Sequence, residues 1–132
     1  MPRKNYVLTL MAERHLEELT AFSLDHWGEG LTDKYLADLH EAAQRIARDH
    51  RSYAPRRDLS GGTGLSVYPV REHYIVYESL GKGRIAIAAI IRQGRDMPAI
   101  LDSWGYQIRE ALKQIREELE RENASQARRH SR

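Results

Sequence analysis

The chain has no cysteine, a single phenylalanine, and no apolar run approaching the length of a bilayer span. Without cysteine, a disulfide framework and a thiolate metal site are both excluded. A spanning helix needs roughly 18 or more consecutive apolar residues, and the opening residues lack the pattern of a secretory leader. The cytoplasm is therefore the expected location. The six histidines are scattered, with neither HExxH nor any other paired spacing, so no metal site is expected. Gly61, Gly62 and Gly64 lack the Lys-Ser/Thr and following helix of a phosphate-binding loop, and read as a turn. No cofactor is expected either. Charge is nearly balanced, with 21 Lys and Arg against 19 Asp and Glu, a net +2. That permits a nucleic-acid or acidic-protein partner without arguing for either.

What is present is a patterned chain of 132 residues, one domain by length and large enough for a core without staples. Its centre is three short apolar runs, 64–70 (GLSVYPV), 73–79 (HYIVYES) and 84–93 (RIAIAAIIRQ). The joins are Arg71-Glu72 and Gly81-Lys82-Gly83. Such runs on such joins read as an antiparallel meander. In the third run the odd positions (Ile85, Ile87, Ala89, Ile91) and the even ones (Ala86, Ala88, Ile90) are all apolar. A strand with one wet face alternates; one buried on both faces does not. Residues 84–91 thus read as the central strand of a sheet covered on two sides.

Before the meander, residues 5–10 (NYVLTL) alternate and read as a first strand able to join one edge of the sheet. Residues 1–4 read as a frayed polar start. From Met11 the period becomes helical, with Ala12, Leu16, Leu19, Phe22 and Trp27 on one stripe. Thr9 is the expected N-cap and Gly28 the stop. A second helix follows, with Thr32 as its expected cap and Tyr35, Leu39, Ala42, Ala43 and Ile46 as its stripe. So short a link makes the two helices a hairpin roofing one face of the sheet. Residues 51–63 read as a connector, rich in positive charge at Arg56 and Arg57, and a candidate surface for phosphate or an acidic partner.

After the meander, residues 92–98 read as a turn, and a third helix is expected from Asp102 or Ser103. Trp104, Ile108, Ala111, Leu112, Ile115 and Leu119 form its stripe, which must bury against the second sheet face or a partner chain. A homodimer through this helix is one such solution. The heptad fit lapses at Glu118, which excludes a long coiled coil. Residues 123–132 lack periodicity and read as a disordered basic tail. Trp27 and Trp104 lie on stripes and read as core. The fold class is α+β, a small antiparallel-rich sheet under an N-terminal helical hairpin with a long C-terminal helix, in the order β-α-α-β-β-β-α.

The ordered set of residues resembles the RelE/ParE superfamily of toxins from bacterial type II toxin–antitoxin systems. The residues that carry the likeness are Leu8-Thr9, Ala12, Trp27-Gly28, Tyr35-Leu36, Leu39 and Ala47. They continue with Gly64, Tyr68, Val70, His73, Ile75, Tyr77, Ile85, Ile87, Ile90-Ile91, Arg95-Asp96 and Ile100-Leu101. The chain looks more like the ParE branch. The likeness covers about residues 5–101 and implies a toxin domain over 1–101, while the residue pattern adds a helical extension over 102–122 and the tail. It further implies a plasmid-stabilising or growth-arresting toxin, held in check by a cognate antitoxin, that acts on DNA gyrase without being a nuclease. The RelE branch instead cuts mRNA in the ribosome. Where ParE-like sequences often carry Arg, this chain has Glu72, Glu78 and Ala89, and Arg92 stands where they have His.

A nuclease of the RelE kind needs cations and a proton-moving group near neutral pH. Arg71, His73, Tyr77 and Arg92 are the candidates, and parity puts 71, 73 and 77 on one face of a strand. The alternative places His73 and Tyr77 as hydrogen-bonded strand residues. Glu72 and Glu78 would repel RNA, so catalysis is the less favoured reading. Arg56, Arg57, Arg71, His73, Arg92 and Arg95 remain the candidates for contact with a protein target.

Overall fold

The computed structural model describes residues 4–49, 57–61 and 63–130, and only the backbone of 57–58 and 127–130. Its elements run β1 (Tyr6–Leu8), α1 (Leu10–Trp27), α2 (Glu29–Asp49), the single turn α3 (Arg57–Ser60), β2 (Ser66–Val70), β3 (His73–Gly81), β4 (Arg84–Arg92) and α4 (Met97–His130). The sheet order is β1-β4-β3-β2, with β1 parallel to β4 and the other pairs antiparallel. This is the expected α+β order. β4 lies inside the sheet, and Ile85 through Ile91 are all buried. The turn between β3 and β4 has Lys82 and Gly83 both at positive φ, as a tight two-residue hairpin requires.

Two cores flank the sheet. Ala12 and Leu19 of α1 and Tyr35, Leu39, Ala43 and Ile46 of α2 pack on Ile75, Tyr77, Ile85, Ile87 and Ile90. On the other face, Met97, Leu101, Ile108 and Leu112 of α4 pack on Val67, Val76, Ala86, Ala88, Ala89 and Ile91. The three alanines leave room for the long side chains of α4. The C-terminal stripe therefore buries against the chain's own sheet, which is one of the two solutions expected.

Thr9 caps α1 as expected, its hydroxyl oxygen accepting the Ala12 N–H at 3.0 Å. Gly28, at φ 84, ends α1 by donating its N–H to Leu24 and opens α2 by accepting the Thr32 N–H at 3.2 Å. A single residue thus joins the helices, and α2 starts at Glu29. Thr32 is not its cap: it lies inside the helix, buried, with its hydroxyl bonded to Ser23 Oγ and the Gly28 carbonyl.

Four further expectations change. α4 starts at Met97, because Asp96 Oδ1 accepts the Ala99 N–H and Pro98 sits in the first turn, where its missing N–H costs nothing. The helix runs on through 123–130, where a disordered tail was expected. That stretch holds Ala, Gln and Arg and no Gly or Pro, so a helix already nucleated by packing propagates. Residues 57–60 form a helical turn within the expected connector. Trp27 is not core but 44% exposed, and Phe22 is 42% exposed. Among the described residues no helix is long and apolar enough to cross a membrane.

Leu112→Asp should cost about 3 kcal/mol or more, because the carboxylate would lie against the alanine-lined sheet face. Glu117→Ala, on the exposed side of α4, should stay within about 0.5 kcal/mol. Urea unfolding of both variants checks this, and equal midpoints would show that α4 is not docked.

Candidate functional site

A bulge in β4 sets the geometry. Val76 pairs with Ala89 and Tyr77 with Ile87, so Ala88 is an extra residue. Ala88 and Ala89 then both face α4. Beyond the bulge the parity of β4 is reversed. Ile90 joins Ile85 and Ile87 on the hairpin side, and Arg92 comes into register beside His73. Strict alternation along 84–91 would have sent Arg92 to the opposite face.

The bulge is held from α1. The Thr9 hydroxyl donates to the Ala88 carbonyl at 2.8 Å, the Thr9 N–H to Ile87 at 3.1 Å, and His15 Nδ1 accepts the Ile90 N–H at 3.1 Å. Since Nδ1 is an acceptor, the His15 proton sits on Nε2. Burial pushes the His15 pKa below its ordinary value, and Arg95 adds to this while Glu18 opposes it.

His73 is fixed in a similar way. Tyr35 Oη and His73 Nδ1 are in a short hydrogen bond. Burial raises the Tyr35 pKa, so the phenol keeps its proton, while its oxygen also accepts from the Glu72 backbone. Tyr35 therefore donates to Nδ1, and His73 presents an N–H at Nε2. Burial lowers the His73 pKa, and the neighbouring Arg92 lowers it further, against Glu72. Gln93 ties down the turn that carries these groups, donating Nε2 to the carbonyls of Arg71 at 2.8 Å and His73 at 3.0 Å.

His73, Arg92 and Arg95 line one open groove of about 820 Å³ between α1 and α4. Leu10, Arg14, His15, Phe22 and Trp27 line it from α1, and Trp104, Gln107 and Ala111 from α4. The Arg92 guanidinium lies 5.9 Å from the centre of the Phe22 ring, which stacks on His26 at 3.8 Å. Trp104 is half-buried, its ring 5.4 Å from that of His15.

The expected nuclease set does not assemble on this surface. His73 and Tyr77 do share a face, but it is the roofed one, and Tyr77 is 4% exposed within the hairpin core. Arg71 sits in the turn at φ 51, paired with Asp38 and 5.9 Å over the Tyr35 ring. Arg57 lies in α3, and Arg56 is outside the described residues. Ile108 and Leu112 are core, while Ile115 and Leu119 are half-buried. Among the described residues no group of three His, Asp or Glu side chains converges as a metal site would. With Nδ1 engaged by Tyr35, Nε2 is the ring nitrogen of His73 left for other contacts. Sequence reasoning missed Arg14, His15, Tyr35 and Asp38. Only Tyr35, an aromatic with a polar tip on an apolar stripe, carried a signal.

The architecture has known counterparts. A solved chromosomal ParDE toxin–antitoxin system from P. aeruginosa shares the fold, with a TM-score of 0.56 at 17% identity over 67% of this chain and 94% of that one. Toxin ParE1 of Mycobacterium tuberculosis, from strains CDC 1551 / Oshkosh and ATCC 25618 / H37Rv, is 27% identical over 92 residues. That is 70% of this chain and 92% of the relative in each case. Residues 6–97 match the family model of the ParE toxin of type II toxin–antitoxin systems, parDE. The chain belongs to the ParE toxin family.

Both groove histidines have native pKa values below the ordinary 6.5. An unfolded chain binds protons from about pH 6.5 downward while these native rings do not. Their contribution to stability is thus whole above that pH and is lost as pH falls through the lower native values. The urea midpoint should fall between pH 7.5 and 5, and fall less in a His15→Gln, His73→Gln double variant. Parallel curves for the two proteins would contradict the assignment.

Proposed function

We propose that this ParE-family chain is a growth-arresting toxin that acts in the cytoplasm by contact with DNA gyrase and is neutralised by a cognate antitoxin. The observation that carries the reading is the ParE match over residues 6–97, which spans the whole sheet and the helical hairpin. The geometry supports contact over cleavage. Of the four candidate nuclease residues, Tyr77 is in the core and Arg71 is committed to Asp38, leaving His73 and Arg92 at the groove. Two donors without a partnered base suit recognition better than strand cleavage.

A non-toxic binding homologue, masked by its own C-terminal helix, is less favoured. The burial of Leu101 and Ile108 on the second sheet face speaks for α4 as part of the fold and against a removable mask. A chain cut after residue 101 should lose its cooperative thermal transition rather than gain toxicity.

Induced expression without antitoxin should halt growth and raise a DNA-damage response, and purified protein at micromolar excess should inhibit gyrase supercoiling. Intact supercoiling, together with mRNA cleavage on ribosomes that His73→Ala abolishes, would replace gyrase with the ribosome as target.

A further inference from the structure

We infer that the cleft between the two helices of the hairpin, over β1 and β4, is a binding site for one small uncharged apolar ring molecule, of the size of benzene. The site goes beyond the toxin reading and does not depend on it.

The lining sets the chemistry. Leu39 and Ala43 of α2 and Ile75, Ile87 and Ile90 of the sheet are buried and form the floor. Half-buried Leu8, Leu16 and Leu36 form the sides, and Tyr6, Thr20 and His40 the polar rim. The space between them is about 170 Å³. A helix with its side chains is about 10–12 Å across and does not enter such a space. An aliphatic cavity of about 150 Å³, by contrast, takes up benzene. Among the described residues, no Lys, Arg, Asp or Glu lines the cleft. A charged molecule would therefore give up its hydration there and gain no counter-charge.

The rim has little to offer water. Tyr6 Oη and His40 Nδ1 are hydrogen-bonded at 2.7 Å. Burial raises the Tyr6 pKa, so the phenol keeps its proton and donates it to Nδ1, which ties β1 to α2 across the rim. The Thr20 hydroxyl donates to the Leu16 carbonyl at 2.7 Å. The ring N–H left over, at His40 Nε2, belongs to an exposed residue. A water on the floor needs two or more polar partners and meets aliphatic carbon instead. An apolar guest loses nothing by that and gains the burial of its own surface.

The cleft is also separate from the groove described above. Leu16 and Thr20 of α1 line the cleft, whereas Arg14, His15 and Phe22 of the same helix line the groove. These two sets lie on opposite sides of a helix with 3.6 residues per turn. Among the described residues, Ile90 alone lines both. The methyl groups that respond to a guest therefore report which of the two it occupies. Ala43 gives the test its handle, because it brings only a methyl to the floor, where a leucine would fill the space.

The full chain, methyl-labelled at isoleucine and leucine, is titrated with benzene and separately with benzoate. Benzene should shift the Leu39, Ile75 and Ile87 methyl signals saturably and show Overhauser contacts to them. At tenfold above its dissociation constant it should raise Tm by about 3 °C or more. Benzoate should bind at least about tenfold more weakly, because its carboxylate finds no cation. Ala43→Leu and, from the opposite wall, Leu16→Phe should each weaken benzene binding about tenfold or more, since the filled space admits no second ring. Glu117→Ala, away on α4, should leave binding unchanged. Circular dichroism checks that each variant folds, and the half-buried Leu16→Phe carries the test should Ala43→Leu not fold. Absence of a saturable shift, equal binding of benzoate, or undiminished binding by a folded, filled variant would each overturn the site. So would shifts confined to Leu10 and Leu19, which would put the guest in the groove.

Discussion

The fold depends on satisfying the backbone of β4 after its neighbour has ended. β1 supplies only Tyr6–Leu8, while β4 continues to Arg92. A buried amide or carbonyl left without a partner costs about 1–3 kcal/mol, more than a typical hydrogen bond returns when made. Thr9 and His15 stand in for the missing strand, binding the Ala88 carbonyl and the Ile90 amide from the first turns of α1. Thr9 does two jobs at once, since the same oxygen caps the helix. The start of α1 is thereby pinned to the middle of β4, and the bulge between them is stabilised rather than tolerated.

From that pin the groove follows. The bulge reverses parity, so Arg92 emerges beside His73 and over Phe22. Gln93, next in the chain, then reaches back to the β2–β3 turn and holds its carbonyls. Tyr35 from α2 fixes the ring of His73. Residues from α1, α2, β3, β4 and α4 meet in one place because each is bonded to the end of β4 or packed against it. The two cores are unlike for the same reason. The hairpin side takes isoleucines and tyrosines, whereas the α4 side is floored by alanines and accepts a helix closely.

Much of this architecture was legible in the residue pattern, and the exceptions have physical causes. An apolar run without alternation, short and bounded by turn residues, reads as a strand covered twice, and 84–91 is that strand. A glycine between two helical stripes reads as a joint, and Gly28 is that joint. The bulge left no mark, because both parities of 84–91 are apolar and a shift by one residue breaks no pattern. The start of α4 was hidden by Pro98, which reads as a breaker unless Asp96 is weighed as the cap ahead of it. Trp27 misled because a helical stripe marks the apolar side of a helix but not how much of it is covered, and Trp27 is 44% exposed. Arg92 and His73 were marked as candidates from the sequence, but their company was not: Tyr35, His15 and Arg14 reach the groove only through tertiary packing.

The length of α4 has a consequence for how the molecule moves through solution. The last half-buried side chain before the free stretch is near Leu119, and most of the helix beyond Leu112 stands clear of the sheet. At about 1.5 Å per residue, the segment from Leu119 to His130 carries the outline roughly 15 Å farther along one axis. A body with such a spar tumbles and diffuses more slowly than a sphere of its mass, so a column calibrated with round standards would overstate its molecular weight.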